Sequence, residues 1–413
     1  MRSCLTAQIS ASALKANVAL LRKLLFPPTR ICAAVKADCY GHGQALLAGT
    51  LAGMVDCLGV ATPEEAIALR QTGYKGPILM FFSLGVVGHG KEGRNALRDL
   101  IAGRISLTIT SPDEVPMIGK AAGRLGIQTP VHVKVDSGMG RSGVLPAYLP
   151  PVVELIRKEK AVILAGIYTH FAVAESAEKT YTLWQLRRYL SAVDASGGRK
   201  GIMLHAANSA ATIDLPQTHL DMVRPGIAIY GYQPSDEMHT RLSLKPALRL
   251  VSRLMQVKNL PEGSRCGYGL RYTFTRGGRV GLVPIGYGDG YLRSLSDKTS
   301  VGVSGRMAPV RGAVSMDQIL VDLTEVPDAS VGDEVEIISP RPGAPNSLEN
   351  LARLAGTIPY EILCRLGSRI RRELVEAYPG ESGHTPTKAE GAPIVRSPYL
   401  TGPDGAQWTT PAY

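Results

Sequence analysis

Short apolar runs alternate with amphipathic stretches through the first 240 residues of the chain. The apolar runs are rich in β-branched residues and end at polar or glycine-containing segments, a pattern that predicts β-strands. Eight such strands are predicted, at Ile31–Val35, Asp56–Val60, Ile78–Phe82, Ile105–Ile109, Val131–Val135, Val162–Tyr168, Ile202–His205 and Asp221–Val223.

The stretches between these strands have the features of helices. Leu14, Val18 and Leu21 recur at helical spacing. The segments 62–65 and 111–114 each begin with a hydroxyl residue, followed by proline and an acidic third position, which is typical of a helix N-terminus. Strand and helix alternating eight times predict an α/β fold, a parallel (β/α)₈ barrel of the TIM type. An open doubly wound sheet is the alternative.

The alternation of strands and helices gives way to short strands and turns near Lys245. Five further short strands separated by glycine and proline turns predict a second, mostly β domain, and two helices are expected near its end. We therefore expect a barrel domain over 1–242, a β domain over 243–378 and a tail over 379–413. The tail is rich in Gly, Pro, Ser and Thr, so we expect it to be flexible.

Composition excludes several classes of protein. The net charge is +11, but the charges are dispersed without interleaved aromatics, which disfavours nucleic-acid binding. The six cysteines show no Cys-x-x-Cys spacing, which disfavours a metal site or a disulfide framework. The chain contains no apolar run of the roughly 18 residues that cross a bilayer and no secretory signal. We expect a cytoplasmic protein without metal, membrane or nucleic-acid partners.

Polar and charged residues follow five of the predicted barrel strands. They are Lys36 after the first, Asp136–Arg141 after the fifth, His170 after the sixth, His205–Ser209 after the seventh and Arg224–Gly226 after the eighth. Barrel enzymes place their chemistry at this end of the strands, so these residues are expected to meet in one site.

Lys36 is the most informative of these residues. A lysine at a strand end is usually a surface residue, but Lys36 has small neighbours and lies at the expected barrel mouth. Partial desolvation lowers the pKa of a lysine and makes it a nucleophile for carbonyl carbons. Ser209 and Gly226 follow strands seven and eight, the usual phosphate site of this fold. An amine beside a phosphate site favours pyridoxal phosphate as the cofactor.

The same motifs allow two other interpretations. The segment 138–143 reads Gly-Met-Gly-Arg-Ser-Gly and matches a dinucleotide-binding pattern, but it lies mid-chain and opens no clear helix. Its glycines fit better with letting Arg141 reach inward. A single histidine is more often structural, yet His170 and His205 end neighbouring strands beside Arg224, which favours a functional role.

These segments together resemble alanine racemases. The stretch 33–43 is similar to the cofactor-lysine signature of that family. Further similar segments follow in the same order and cover about residues 10–375. They are 135–143, 166–171, 205–209, 223–227, 267–269, 284–290, 315–318 and 358–361.

The resemblance implies a pyridoxal-phosphate enzyme that interconverts L- and D-alanine as a homodimer. It implies that Lys36 carries the cofactor and is the base for the D-enantiomer, while Tyr268 of the other subunit is the base for the L-enantiomer. His170 would hydrogen-bond that tyrosine. Arg224, with His205 behind it, would face the pyridine nitrogen, where an arginine cannot readily give up its proton.

The resemblance also implies the binding residues. The substrate carboxylate would be bound by Arg141 and Met316. The cofactor phosphate would be held by Tyr40, Ser209, Gly226, Ile227 and Tyr360, next to Asn208. The supporting residues would be Lys134, at a position carbamylated in some relatives, with Tyr287 and Asp317. Tyr360 is typical of alanine-selective members, so serine is expected to be a weaker substrate. Ala313 stands where many relatives carry an arginine, which puts substrate breadth in doubt.

Two alternatives belong to other classes of protein. A barrel-type pyridoxal decarboxylase shares the barrel and β domain, but the sequence contains no extended glycine-rich phosphate loop. A non-catalytic cofactor-binding protein would lack a β domain carrying a second base, whereas Tyr268 is present.

Overall fold

The computed structural model describes residues 4–85, 87 and 90–378 of the chain. The expected tail over 379–413 therefore lies outside the described residues. Nineteen strands are found in the described part: β1 Thr6–Ser10, β2 Arg30–Ala34, β3 Cys57–Val60, β4 Ile78–Met80, β5 Leu107–Ile109, β6 Thr129–Lys134, β7 Val162–Tyr168, β8 Met203–His205, β9 Met222–Val223, β10 Leu248–Arg253, β11 Gln256–Leu260, β12 Arg265–Cys266, β13 Tyr272–Thr273, β14 Gly278–Val283, β15 Ser300–Val303, β16 Arg306–Arg311, β17 Ile319–Asp322, β18 Glu334–Ile338 and β19 Arg371–Val375.

Eleven α-helical segments are found in the same residues, together with five short 3₁₀ helices. The α-helical segments are α1 Ala11–Lys23, α2 Lys36–Tyr40, α3 Gln44–Ala52, α4 Pro63–Gln71, α5 Gly90–Ala102, α6 Glu114–Leu125, α7 Leu149–Lys158, α8 Thr180–Ala195, α9 Ser209–Asp214, α10 Leu348–Ala355 and α11 Pro359–Cys364. No helix of the described residues is long and apolar enough to cross a membrane.

The strands β2 to β9 form one parallel sheet in the order β4-β3-β2-β9-β8-β7-β6-β5. Its two edges meet, because the amide of Met80 donates to the carbonyl of Ser106 and the amide of Ser106 donates to the carbonyl of Ile78. The sheet is thereby a nearly closed barrel, and the predicted (β/α)₈ architecture is confirmed. Each of the eight predicted strands overlaps one observed strand.

Local chemistry sets the helix starts around this barrel. Helix α4 begins with a capping box in which the Thr62 hydroxyl accepts from the Glu65 amide. A helix also follows the predicted start signal at 111–114, but α6 begins only at Glu114, and its N-cap Asp113 makes no side-chain cap bond. The strands are closely packed: Ile31, Leu58 and Ile109 have no solvent-exposed surface. Burial of such apolar side chains is the main stabilising contribution to a core of this kind.

A second, nine-stranded sheet has the order β11-β14-β17-β16-β15-β18-β10-β1-β19. The chain's first strand belongs to it: β1 pairs antiparallel with β10 and parallel with β19. The sequence pattern had assigned no strand to these residues and had grouped them with the barrel. Ser10 is the last residue of β1 and the N-cap of α1, because its hydroxyl accepts from the Ala13 amide. This residue therefore connects the nine-stranded sheet to the helix that precedes the first barrel strand.

Candidate active site

Five basic side chains meet at the carboxyl ends of the barrel strands. We call Lys36, Lys134, Arg141, His170 and Arg224 the mouth cluster. Desolvation lowers the pKa of His170 well below its usual value, and the charges of Arg224, Lys134, Arg141 and Lys36 lower it further. The other four basic groups thus lie near enough to His170 to lower its pKa, which is consistent with the prediction that these strand ends converge. A site with this excess of positive charge suits an anionic ligand.

Lys36 lies one residue beyond the end of β2, after Val35, and is exposed to solvent in the single chain. Its pKa is nevertheless lowered, first by the desolvation that the surrounding protein imposes and then by the charge of Arg141. A lowered pKa increases the fraction of neutral amine at physiological pH, which is the nucleophilic form.

The turn that follows Lys36 is left-handed. Ala37, Asp38, Cys39 and Tyr40 all have φ between 50° and 56°, a conformation that costs roughly 1–2 kcal/mol per residue for side chains with a Cβ. The Glu65 carboxylate accepts from the Ala37 amide at 2.7 Å and also from the Ala61 amide. Glu65, the acidic residue of the α4 capping box, thus helps to fix the turn that follows Lys36.

Arg224 is buried within a chain of hydrogen bonds. Its Nη1 donates to Nδ1 of His205 at 2.8 Å, and Nε2 of His205 lies 2.9 Å from Nδ1 of His132. Because arginine only donates, Nδ1 of His205 is the accepting nitrogen, and its proton is on Nε2. Nη2 of Arg224 donates to the Thr169 carbonyl at 2.7 Å and contacts Nδ1 of His170 at 3.4 Å.

These histidines are neutral. Burial, followed by the charge of Arg224, lowers the pKa of His132 to about 4 and lowers that of His205 well below its usual value. Tyr168 completes the packing: its ring stacks on His205 at 4.8 Å, and the Arg224 guanidinium lies 5.0 Å from the centre of the same ring. The position of Arg224 is therefore held from several sides.

A second group of residues surrounds Gly226. Its amide donates to Oγ of Ser209 at 2.8 Å, and a Cβ at position 226 would lie only 2.3 Å from Oη of Tyr40. The Tyr40 ring is 6.1 Å from the Tyr360 ring. The structure therefore brings Tyr40, Ser209, Gly226 and Tyr360 together. Ile227 is fully buried beside Gly226, and Oδ1 of Asn208 accepts from the Ala211 amide to cap α9.

Lys134 and the loop that carries Arg141 are linked. Nζ of Lys134 donates to Oγ of Ser142 at 2.7 Å. Desolvation lowers the pKa of Lys134 to about 8, and the charge of Arg141 contributes next. The Asp136 carboxylate accepts from the amides of Gly138 and Gly140, both at 3.0 Å, which fixes the start of this loop. Gly138 and Gly140, which matched the dinucleotide-binding pattern, thus form a turn next to Arg141.

The remaining expected site residues lie in the β domain. Tyr268, Met316 and Tyr287 are 75%, 54% and 45% exposed, and we call these three the β-domain patch. The Met316 carbonyl accepts from the Gly288 amide, and the amide of Tyr287 donates to the Ser315 carbonyl. Asp317 binds Arg369 at 2.7 Å, and Arg369 also binds Asp289. In the described part of this single chain, no hydrogen bond joins Tyr268 to the mouth cluster.

Models of two known domain families match the chain. The alanine racemase N-terminal domain matches residues 9–234, and the alanine racemase C-terminal domain matches residues 247–374. The chain belongs to the alanine racemase family. The expectation drawn from its motifs is confirmed at the level of the family.

Individual members of the family are similar over nearly their whole length. An alanine racemase of Desulfovibrio desulfuricans is 42% identical over 90% of this chain and 98% of its own. An alanine racemase of Halothermothrix orenii is 38% identical over 89% of this chain and 96% of its own. The solved alanine racemase of Clostridium difficile 630 is 36% identical with a TM-score of 0.83, covering 91% of this chain and 96% of that one.

Three residues in this alanine racemase fold were missed by the sequence interpretation: His132, Tyr168 and Glu65. The signal for His132 was the alternation Val-His-Val-Lys in β6, which places it on the same face as Lys134. Gly166 pairs with His132 across the strands, and a Cβ there would lie 2.2 Å from Nδ1 of His132. Only the folded barrel shows that this glycine makes room for the ring.

Proposed function

We propose that this member of the alanine racemase family interconverts L- and D-alanine, using pyridoxal phosphate held by Lys36 and a second base, Tyr268, from a partner copy of the chain. The observation that carries the proposal is the mouth cluster, which combines a lysine of lowered pKa with a buried arginine and an adjoining hydroxyl-lined glycine site. The D-alanine would supply peptidoglycan synthesis, or the reaction would serve alanine catabolism.

The residues present fit pyridoxal phosphate. Gly226 has no side chain, which lets the Tyr40 hydroxyl lie close to its backbone, while its amide donates to Oγ of Ser209. With Ser209, Ile227 and Tyr360 they would hold the phosphate, next to Asn208. Among the described residues, Nε of Arg224 has no acceptor, so one N–H of a fixed guanidinium remains for the ring nitrogen of the cofactor. When bound, this cofactor withdraws electrons from the substrate's α-carbon and acidifies its proton.

The chain's own groups would then move that proton. Nζ of Lys36 would take or return it on one face of the substrate, and Oη of the partner's Tyr268 on the other, so inversion needs two different groups. His170 supports this assignment, because its Nδ1 faces Arg224 and its remaining Nε2–H is able to donate to the tyrosine oxygen. Arg224 keeps its own proton, which disfavours pyridoxal reactions that need a protonated ring nitrogen.

A homodimer is proposed because Tyr268 is largely exposed in the single chain and, among the described residues, has no hydrogen bond to the mouth cluster. The β-domain patch is apolar, aromatic and exposed, and surfaces of that kind commonly form protein contacts. Arg141 and the backbone of Met316 would bind the substrate carboxylate from the two sides, with Tyr287 and Asp317 supporting Met316. The ion pair of Asp317 with Arg369 fits that supporting role.

Three further expectations are kept as proposals. We place the boundary between the barrel and β domains near residue 242. We also propose that the protein works in the cytoplasm, since Cys32 and Cys57 face each other on neighbouring strands as free thiols. Substrate breadth is proposed to centre on alanine, with serine weaker, because Tyr360 is packed near Tyr40 at the phosphate residues.

The test is direct. Purified full-length protein with added pyridoxal phosphate is incubated with L-alanine, and D-alanine is measured by chiral chromatography. Racemisation from either enantiomer to an equal mixture is expected, with Lys36→Ala as the inactive control. Carbon dioxide release from basic amino acids would support the decarboxylase instead, and absence of any D-alanine would refute the proposal.

A further inference from the structure

His42 lies just beyond the left-handed turn and has no solvent-exposed surface. Its Nδ1 is 2.9 Å from the carbonyl oxygen of Cys39 and 2.9 Å from that of Tyr40. Carbonyl oxygens only accept, so Nδ1 must carry a proton and donate to both. The two carbonyls belong to the last two residues of the strained turn, and Tyr40 is also a proposed phosphate contact.

The other nitrogen of His42 confirms the protonation state. Among the described residues, its Nε2 is buried without a hydrogen-bond partner. Burial lowers the pKa of His42 to about 4, so the ring is neutral at physiological pH. A second proton on Nε2 would be a buried, unpaired charge, which is strongly unfavourable. The ring is thus committed to one tautomer, with its proton on Nδ1.

The ring of His42 is itself fixed from the strand that precedes Lys36. It stacks on Tyr230 with the ring centres 4.5 Å apart. The Tyr230 hydroxyl donates to the carbonyl of Ala34, two residues before Lys36, at 3.0 Å. The contacts therefore run from the end of β2 through Tyr230 and His42 to the end of the turn, and they enclose the backbone on either side of Lys36.

Other contacts leave the turn little freedom on its outer side. Arg372 donates to the Gly41 carbonyl at 2.9 Å. A Cβ at Gly41, where φ is +76°, would lie 2.0 Å from the Leu363 carbonyl oxygen. The outer side is therefore held by the Arg372 side chain and by close packing against the Leu363 backbone. On the inner side, the Cys39 carbonyl accepts from both the amide and the ring of His42, and the Tyr40 carbonyl accepts from the His42 ring.

We infer that His42 is a positioning residue, which holds the left-handed turn through the carbonyls of Cys39 and Tyr40 and thereby sets Lys36 and Tyr40 in the same site. The inference rests on the proposed function, because Lys36 and Tyr40 matter here as cofactor contacts. His42 has no solvent-exposed surface, and its hydrogen bonds go to the backbone of the turn, so its proposed action is through that backbone.

Two variants separate the N–H donor from the ring. His42→Phe keeps an aromatic ring against Tyr230 but lacks the donor, whereas His42→Asn places an amide N–H close to the position of Nδ1. Pyridoxal phosphate binding is measured by equilibrium dialysis of the apo-protein. We expect the dissociation constant to rise about tenfold in His42→Phe and to stay within about threefold of wild type in His42→Asn, the effect of roughly one hydrogen bond.

A second readout needs no cofactor. The rate at which an acylating reagent modifies Lys36 in the apo-protein is followed against pH by peptide mass spectrometry. We expect the pKa of Lys36 to rise towards its ordinary value in His42→Phe and to remain low in His42→Asn. An equal loss in both variants, or a folded His42→Phe with wild-type binding and reactivity, would overturn the inference. A merely structural histidine would change the melting temperature and leave the pKa of Lys36 unchanged.

A third measurement covers the case in which His42→Phe does not fold. Nitrogen NMR of histidine-labelled wild-type protein, with the signal assigned by its loss in His42→Asn, should show a neutral ring protonated on Nδ1 at pH 7. A charged ring or a proton on Nε2 would overturn the inference. If wild type failed to bind pyridoxal phosphate, the proposed function would fail, while the Lys36 reactivity and the NMR would still decide the role of His42.

Discussion

The mouth cluster and the β-domain patch differ in how completely the single chain builds them. Arg224 in the mouth cluster has hydrogen bonds to His205, Thr169 and Ala206, and its guanidinium packs on Tyr168. Tyr268 in the β-domain patch is three-quarters exposed. One half of the proposed site is thus preorganised within the barrel, whereas the other half, in our proposal, takes its surroundings from a second copy.

Complementation between subunits tests most strongly whether the two halves of the proposed site come from different chains. Lys36→Ala and Tyr268→Ala should each lower racemase activity by about 10²–10⁴-fold, the usual loss when an acid–base group is removed. Co-expressed with different tags and purified as the mixed dimer, the two variants should recover about half of the wild-type activity, since one of the two shared sites is then intact.

The control for complementation is a mixed dimer in which both chains carry Lys36→Ala, which should stay inactive. If the Lys36→Ala and Tyr268→Ala chains formed a dimer without recovering activity, each chain would hold its own complete site. The assignment of the β-domain patch to the neighbouring chain would then be wrong.

A smaller effect is expected at Gly226, within the barrel half. Gly226→Ala should displace the Tyr40 hydroxyl, because the added Cβ would lie 2.3 Å from it. Loss of one hydrogen bond to an anionic phosphate should weaken pyridoxal phosphate binding by roughly 10- to 100-fold. Gly49→Ala is the matched control, since a Cβ there meets no atom within 4 Å. Equal binding by the two variants would remove the glycine site from the proposal.

The smallest effect concerns the charge of the mouth cluster and its pH dependence. The pKa of Lys134 is about 8 in the folded chain and 10.5 ordinarily, so between these values the unfolded state binds one more proton. Stability should therefore rise from pH 8 to pH 10, by about 1–3 kcal/mol, and Lys134→Met should lack this part of the rise. Urea unfolding at several pH values measures it. Identical profiles would show that Lys134 does not titrate as a free amine, as carbamylation would cause.

The sequence predicted the barrel well because each of its strands is a local apolar run. Strand β1 was missed, since Thr-Ala-Gln-Ile-Ser is short and polar and becomes a strand only by pairing with residues more than 200 positions away. The strand-end rule found Lys36, His170 and Arg224. It could not find Glu65, whose carboxylate reaches the Ala37 amide only after the barrel has formed. Both β1 and the role of Glu65 depend on contacts between residues distant in sequence, which local sequence patterns do not reveal.

The placement of β1 between β10 and β19 has a consequence for synthesis of the chain. Strand β1 is flanked in the finished sheet by two strands that are synthesised much later, at Leu248–Arg253 and Arg371–Val375. The N-terminal strand must therefore remain unpaired while the whole barrel emerges, since domains generally begin to fold during translation. Emergence of Arg371–Val375 from the ribosome then becomes the event that allows β1 to gain its second neighbour in the sheet.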